Sequence, residues 1–310
     1  MAYVAVLDGK REELQRAADR RWRALTDGRP DMAPAVELQR QLIQLVIELA
    51  ERLDGGRMPR LSLPPRYLAA KLSRGVPILA GEPIPLPVPM LARSLPRFCE
   101  TLASAGAGDA ARHIEEALTS GGIEPGSLLA ASLSRNQSAI RTGAVHRGLA
   151  PDLVWLVAEL AVSPFAHALQ RMLLANASDG TLRTALAGWN HGYCPACGSW
   201  PALAEVVDGH RTLRCSFCSS AWEMGAYACI YCGGHGEQFV TAAPNEERID
   251  RRLEVCGACG GYLKTIDLAE LSPFPLLSIS DIETTDLDVA SMEHGYRRPA
   301  LKEFATPRAT

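Results

Sequence analysis

Apolar residues recur at helical spacing through the first 188 residues, and from residue 189 that rhythm gives way to short alternating runs separated by glycine and cysteine. In PAVELQRQLIQLVIELAERLDGG, Leu38, Leu42, Leu45, Leu49 and Leu53 fall in steps of three and four, which predicts a long helix with one buried face, ended by Gly55 and Gly56. PRFCETLASAGAG, DAARHIEEALTSGG and GSLLAASLSRNQSAIRTGAVHRG predict shorter helices closed by glycine. DLVWLVAELAVSPFAHALQRMLLANA is apolar enough to be a central helix or helix pair, with Ser163 as a cap and Pro164 opening the second half. Between them GVPILAGEPIPLPVPM carries five prolines and predicts an extended crossing. Beyond residue 189, PALAEVV, RTLRC, QFVTAA, RRLEVC and YLKTID are strand-length pieces between tight turns, too small to make much core of their own.

Composition widens this picture only a little. A chain of 310 residues, 47% hydrophobic and 22% charged, is long enough for a substantial core or for two to three smaller ones. The first ten residues already carry charge and no apolar run of signal-peptide length follows, so a cytoplasmic protein is expected, without membrane insertion. No uninterrupted apolar stretch approaches the roughly 18 residues of a spanning helix. In the cytoplasm most thiols are kept reduced, which directs clustered cysteines towards metal binding or chemistry rather than disulfides.

Eight of the nine cysteines lie between Cys194 and Cys259, and Cys99 stands alone in a helical context that predicts a small buried core residue. The eight form four CxxC pairs: Cys194 and Cys197, Cys215 and Cys218, Cys229 and Cys232, Cys256 and Cys259. Seventeen residues separate the first two pairs and twenty-three the last two. Two CxxC turns joined by a hairpin of that length give a tetrahedral site of four thiolates. Glycines follow Cys197, Cys232 and Cys259, whereas the CSFCSS turn has none. A thioredoxin-like dithiol would need a βαβ setting that is missing here. Four thiolates suit zinc and a single iron equally, and a mononuclear ion is favoured over an iron–sulfur cluster. With eight thiolates present, His191, His210 and His235 are not needed as ligands and are read as surface or supporting groups.

Charge opposes a nucleic-acid role. Residues 189–264 hold six Lys and Arg against eight Asp and Glu, and each divalent ion on four thiolates makes the region more negative still. Arg211, Arg214, Arg251 and Arg252 are read as solvated strand faces rather than a phosphate-binding patch. There is no GxSxG, Walker, HExxH or Rossmann motif, which leans against an enzyme.

YCPACGSWPALAEVV, RTLRCSFCSSAW, CIYCGG, EVCGACGGYLKTID and GYRRPALKEF resemble the successive signatures of the FdhE family, the formate dehydrogenase accessory proteins. Trp222 and the Gly261–Lys264 run are part of that pattern, which extends from Cys194 to Phe304; the helical half is similar only in general character. The resemblance implies an assembly factor rather than a catalyst. It implies iron, in preference to zinc, held by Cys194, Cys197, Cys215, Cys218, Cys229, Cys232, Cys256 and Cys259, and contact with the selenocysteine- and molybdenum-containing catalytic subunit of respiratory formate dehydrogenase. The expected fold is α+β and multidomain: a helical scaffold over 1–188, two small rubredoxin-like or zinc-ribbon-like β domains over 189–226 and 227–266, and a tail over 267–310 that packs back on them. By the same resemblance Tyr296 and Arg297 are candidates for the contact surface. The missing glycine in CSFCSS predicts a first site that is looser or more exposed than the second. An iron-thiolate or dithiol redox protein is the alternative, and a nucleic-acid-binding zinc ribbon a weaker one.

Overall fold

A computed structural model describes residues 3–6, 10–54, 58, 61, 63–175, 179–225, 227–243, 249–302 and 304. In chain order its helices are α1 (Arg11–Gly28), α2 (Ala33–Asp54), α3 (Pro65–Leu72), α4 (Val88–Ala92), α5 (Ser94–Leu102), α6 (Gly108–Thr119), α7 (Pro125–Leu133), α8 (Gln137–Val145), α9 (Pro151–Gln170), α10 (Gly180–Ala187), α11 (Leu277–Glu283) and α12 (Thr285–Glu293). The strands are β1 (Tyr3–Val4), β2 (Pro201–Val207), β3 (His210–Cys215), β4 (Ala221–Trp222), β5 (Phe239–Ala242), β6 (Arg251–Cys256) and β7 (Tyr262–Asp267). The chain divides into two compact units, one of Lys10–Ser62 and Gly81–Leu169, the other of Met1–Gly9, Leu63–Ala80 and Gln170–Phe304.

The first of these units is helical. Apolar spacing in α2 produces the long helix that was predicted, but its buried face runs through Val36, Ile43, Val46 and Ile47 as well as Leu42, Leu49 and Leu53, leaving Leu38 and Leu45 half-buried. The glycine stop at residues 55 and 56 lies outside the described residues. Cys99 is fully buried on α5, as its apolar surroundings predict, and burial pushes its thiol up to about 12. One expectation fails at Pro164. Helix α9 passes through it without a break, although an internal proline costs a helix about 3 kcal/mol. The surrounding Val157, Ala158, Ala161, Val162, Phe165, Ala166 and Leu169 are all fully buried, and at about 25 cal/mol per Å2 their packing outweighs that cost. The stretch Pro151–Leu174 is long and apolar enough to cross a membrane, yet 61% of its apolar window is buried inside the protein.

The other unit is built on one seven-stranded sheet of order β1-β4-β3-β2-β7-β6-β5. β2, β6 and β7 coincide with the PALAEVV, RRLEVC and YLKTID pieces. All pairings are antiparallel except β2 with β7, where Ala204, Glu205 and Val206 oppose Thr265, Ile266 and Asp267 in parallel. That pairing fuses two hairpins, β2–β3 and β5–β6, into a single mixed sheet. Helix α12 covers β6 and β7, with Leu287 packed on Leu253, Val255 and Tyr262 and Tyr296 against them. An ion network ties it down. Lys264 on β7 is fully buried, and its Nζ reaches Asp281 and Asp288 at 2.6 Å each, while Arg298 pairs with Asp288 at 2.9 Å and lies over the Tyr262 ring. Buried charge of this kind persists only when paired, so the GYLK and GYRR signatures hold the tail on the sheet. Helices α3 and α10 pack together in the same unit, with Leu68, Leu72, Leu182 and Leu186 buried on them.

Candidate metal centres

Both four-cysteine groups are assembled in the same way. A CxxC loop leads into a hairpin, and the second CxxC starts on the last residue of the returning strand. Cys194 and Cys197 precede β2, Cys215 closes β3 and Cys218 follows in the turn to β4; Cys229 and Cys232 precede β5, Cys256 closes β6 and Cys259 follows in the turn to β7. The registers Pro201↔Cys215 and Phe239↔Cys256 set each loop opposite its turn.

Backbone hydrogen bonds fix each turn. The amide N–H of the leading cysteine donates to the carbonyl five residues on: Cys194 to Ser199 at 2.9 Å, Cys215 to Ser220 at 2.9 Å, Cys229 to Gly234 at 2.8 Å and Cys256 to Gly261 at 2.9 Å. At the position after the second cysteine the chain takes a positive φ, +84° at Gly198, +75° at Gly233 and +66° at Gly260. Ser219 adopts the same conformation at +54°, so the CSFCSS turn keeps the geometry without the glycine, against the steric preference of a side chain. Amides then point at sulfur: Ala196 N–H to Cys194 Sγ, Phe217 and Cys218 N–H to Cys215 Sγ and Gly234 N–H to Cys232 Sγ, each at 3.4 Å.

The sulfurs converge without being joined. Cys194 and Cys218 are 3.6 Å apart, Cys197 and Cys215 3.4 Å, Cys229 and Cys259 3.7 Å, Cys232 and Cys256 3.7 Å, and within each group every sulfur lies within 4.8 Å of the others. No disulfide joins any of the nine cysteines. A tetrahedral ion with metal–sulfur bonds of about 2.3 Å places its sulfurs about 3.8 Å apart, so both groups fit a single four-thiolate ion as they stand. Burial pushes the Cys194 and Cys218 thiols well above the ordinary range. At Cys256 burial acts upward too, but hydrogen bonds from the Cys259 and Ala258 amides outweigh it and draw the thiol down to about 7.

The predicted order of exposure is reversed. All four cysteines of the first group are buried, at 0–3% exposure, whereas in the second Cys232 is exposed and Cys259 intermediate. Three things seal the first group that composition near the knuckles did not reveal. Ser199 and Ser220 set their hydroxyls 3.3 Å from Cys197 Sγ and 3.1 Å from Cys218 Sγ; the equivalent positions in the second group are Gly234 and Gly261. The Ile78 and Leu79 amides donate to the carbonyls of Pro195 and Ala196 at 3.0 and 2.9 Å, so the first part of the proline-rich segment is a cover for this knuckle. The Phe304 ring lies against Gly198, next to Tyr193, and Trp200 Nε1 donates to the Ala300 carbonyl at 2.9 Å. The signal available in the sequence was the Ser-versus-Gly difference two residues after each second cysteine.

Gly198→Ala is expected to cost about 1–3 kcal/mol, because the side chain meets both a left-handed backbone and the Phe304 ring. The check is a lowered thermal midpoint together with faster tryptic cleavage at Arg297 and Lys302; an unchanged midpoint and cleavage pattern would show that Phe304 does not rest on this turn.

Other candidates find structural roles. His191 is half-buried and stacks on Tyr193, its pKa lowered by burial and by Lys302. His210 and His235 are exposed. Trp222 is fully buried and donates from Nε1 to the His191 carbonyl at 3.0 Å. Of the four arginines expected on solvated strand faces, Arg211 and Arg214 are withdrawn from solvent, while Arg251 and Arg252 are half-buried. Arg214 is fully buried against Glu205, Arg211 pairs with Glu254, Arg252 with Asp267, and Arg251 donates to the Glu283 carbonyl. Each finds a carboxylate or carbonyl partner, in a buried pair for Arg214 and an exposed one for Arg252, and these pairings compete with any role in a phosphate-binding patch. Arg297 anchors the tail through its amide, which donates to the Gly260 carbonyl on the fourth knuckle at 2.8 Å.

Comparison with known proteins places this arrangement. No family model matches the chain. A protein of Haemophilus influenzae named Protein FdhE homolog is 33% identical over 120 residues, which is 37% of this chain and 39% of that protein. A homolog of the same name in Aquifex aeolicus is 30% identical over 113 residues, 35% of this chain and 40% of its own length. Protein FdhE of Escherichia coli is 30% identical over 138 residues, 43% of this chain and 44% of its own. The matched segments therefore span less than half of these relatives. The crystal structure of the FdhE protein from Pseudomonas aeruginosa shares the fold over the full length of both chains, with a TM-score of 0.60 at 21% identity. The resemblance carried by the cysteine motifs is matched in sequence by these relatives, and the fold by that structure.

Proposed function

We propose that this chain, a relative of the FdhE proteins, is a metal-containing accessory protein for the assembly of formate dehydrogenase. The observation that carries the reading is the pair of four-sulfur groups, already at metal-binding separation, on a segment shared with proteins of that name. Cys194, Cys197, Cys215 and Cys218 hold one ion, and Cys229, Cys232, Cys256 and Cys259 hold the other. The resemblance favours iron at both. A four-thiolate ion supplies cross-linking of loop to turn and, as iron, a one-electron couple.

The residues do the rest. The knuckle amides stabilise thiolate charge, the two hairpins keep loop and turn apposed, and the β2–β7 pairing fixes the two groups on one rigid sheet. That sheet gives an incompletely matured catalytic subunit a shaped surface to dock on, in the cytoplasm, without chemistry on a substrate. The supporting physical point is that the side chains around the sulfurs are spent on packing and pairing: buried ion pairs, aromatic contacts and backbone hydrogen bonds.

The test is genetic and biochemical together. A host whose own accessory protein is deleted should regain formate-dependent dye reduction when supplied with this chain, and the tagged chain should retain the catalytic subunit on purification. The Cys256→Ser/Cys259→Ser double variant should lose one ion per chain by elemental analysis and lose the subunit with it. Retention of the subunit by that variant would move the docking surface away from the second group; failure of the wild-type chain to restore activity would sink the reading.

A further inference from the structure

We propose that the second four-cysteine group is an exchange site, passing its ion to and from soft, thiol-bearing ligands, while the first group keeps its ion as a fixed part of the fold. The proposal rests on the reading that both groups hold metal. It assigns them different work from their surroundings. Ligand exchange at a four-thiolate ion begins with an incoming sulfur reaching the ion, so the open face of the tetrahedron decides the rate.

The first group offers no such face. Its four cysteines are buried, Ser199 and Ser220 hydroxyls sit beside two of the sulfurs, the Ile78 and Leu79 amides hold a segment across Pro195 and Ala196, and Phe304 lies on Gly198. In the second group Cys229 and Cys256 are buried at the base, against Phe239, while Cys232 is exposed and Cys259 partly so. The chain beside the two outer cysteines is bare: a side-chain carbon placed on Gly233, after Cys232, or on Gly260, after Cys259, would meet nothing within 4 Å, and one placed on Gly234 would lie 3.3 Å from the sulfurs of both Cys232 and Cys256, which glycine leaves uncovered. Two buried ligands retain the site's shape while an exposed one is replaced.

The step balances as a substitution. The sulfur of an incoming thiol bonds to the ion as the bond to Cys232 Sγ breaks, the thiol's proton passes to the released Cys232 thiolate, and no electrons change hands. Repetition at Cys259, and then at Cys229 and Cys256 once the outer two are free, replaces all four bonds and completes the transfer. The fitting partner is a small thiol or a cysteine-bearing protein segment.

The experiment uses the full chain loaded with zinc alone. Reduced glutathione and a chromogenic zinc chelator are added, and N-ethylmaleimide labelling is mapped at intervals by mass spectrometry. Release in two phases is expected, the fast one about 10–100-fold faster, the range by which groups around a metal's ligands alter its hold. Cys229, Cys232, Cys256 and Cys259 should be labelled in the fast phase and Cys194, Cys197, Cys215 and Cys218 only in the slow one. Single-phase release, or labelling of the first group first, overturns the exchange proposal and leaves the metal reading intact. A chain that takes up no zinc overturns both.

Discussion

Stripping both ions with a strong chelator at neutral pH is expected to melt the sheet-bearing unit while the helices of the other unit keep their signal. Three of the hydrophobic groups on the sheet are small. One of them consists of Ala202, Leu203, Ile266 and Leu277, another of Leu253, Val255, Tyr262 and Leu287, and a third counts Cys229 and Cys256 among its members beside Phe239. Side chains in groups of that size yield about 1.5–3 kcal/mol each, against a backbone entropy cost of about 1–2 kcal/mol for every residue ordered. Four-thiolate ligation contributes on the order of 10 kcal/mol per structural site, which is the difference between a folded and an unfolded ribbon. Trp189, Trp200 and Trp222 report the loss by a fluorescence shift, since all three lie in this unit, and strand signal should fall in circular dichroism. Acid should act in the same direction. A thiol must lose its proton to ligate, so lowering the pH favours the protonated, metal-free state and loading the protein releases protons. Identical melting before and after chelation would show that the eight sulfurs do not hold the fold together.

How far the letters alone lead is best seen strand by strand. β2, β6 and β7 follow from alternation bounded by Gly, Pro and Cys, and the cysteine spacing alone groups Cys194 and Cys197 with Cys215 and Cys218, and Cys229 and Cys232 with Cys256 and Cys259. These are local signals. The parallel pairing of β2 with β7 has none, because its register depends on which side chains meet across two hairpins distant in sequence. β1, only Tyr3 and Val4, is likewise fixed by its partner, pairing with Trp222 and Ala221. Pro164 and Ser219 illustrate the other kind of limit. Each violates a local preference, for a helix interior and for negative φ, and each is held by what surrounds it. The reading of CSFCSS as a loose turn treated a missing glycine as missing order, whereas the motif's own Ser220 and, from outside it, Ser199 and the Ile78–Leu79 segment close that site. The arginines misled for a related reason: alternation says which face Arg214 occupies but not that Glu205 waits there.

That buried pair gives the second large effect. Arg214→Met is expected to destabilise the sheet-bearing unit by about 3–5 kcal/mol, the cost of leaving a charge buried without its partner. Both side chains are fully shielded from solvent. Arg214 Nη1 donates to Glu205 Oε2 and its Nη2 to the Ser272 carbonyl at 2.7 Å, while the Ser272 amide donates to Glu205 Oε2 at 3.1 Å. Glu205 Oε1 and Arg214 Nε have no partner, so even the intact pair is incompletely satisfied. Burial lowers the arginine's pKa, with Glu205 opposing that shift. Take away the guanidinium, and Glu205 keeps a single amide donor. The carboxylate, rather than the lost arginine packing, should then be the source of the damage, and a double-mutant cycle separates the two. Arg214→Met combined with Glu205→Leu replaces the pair with apolar volume and should recover most of the loss, since such replacements are often neutral or stabilising by about 1–4 kcal/mol. Urea midpoints of the metal-loaded single and double variants decide it. Were the double variant as unstable as Arg214→Met alone, the arginine would be acting through its packing and its bond to Ser272, and the ion pair would not be the element that fixes β2 and β3 to the chain around Ser272.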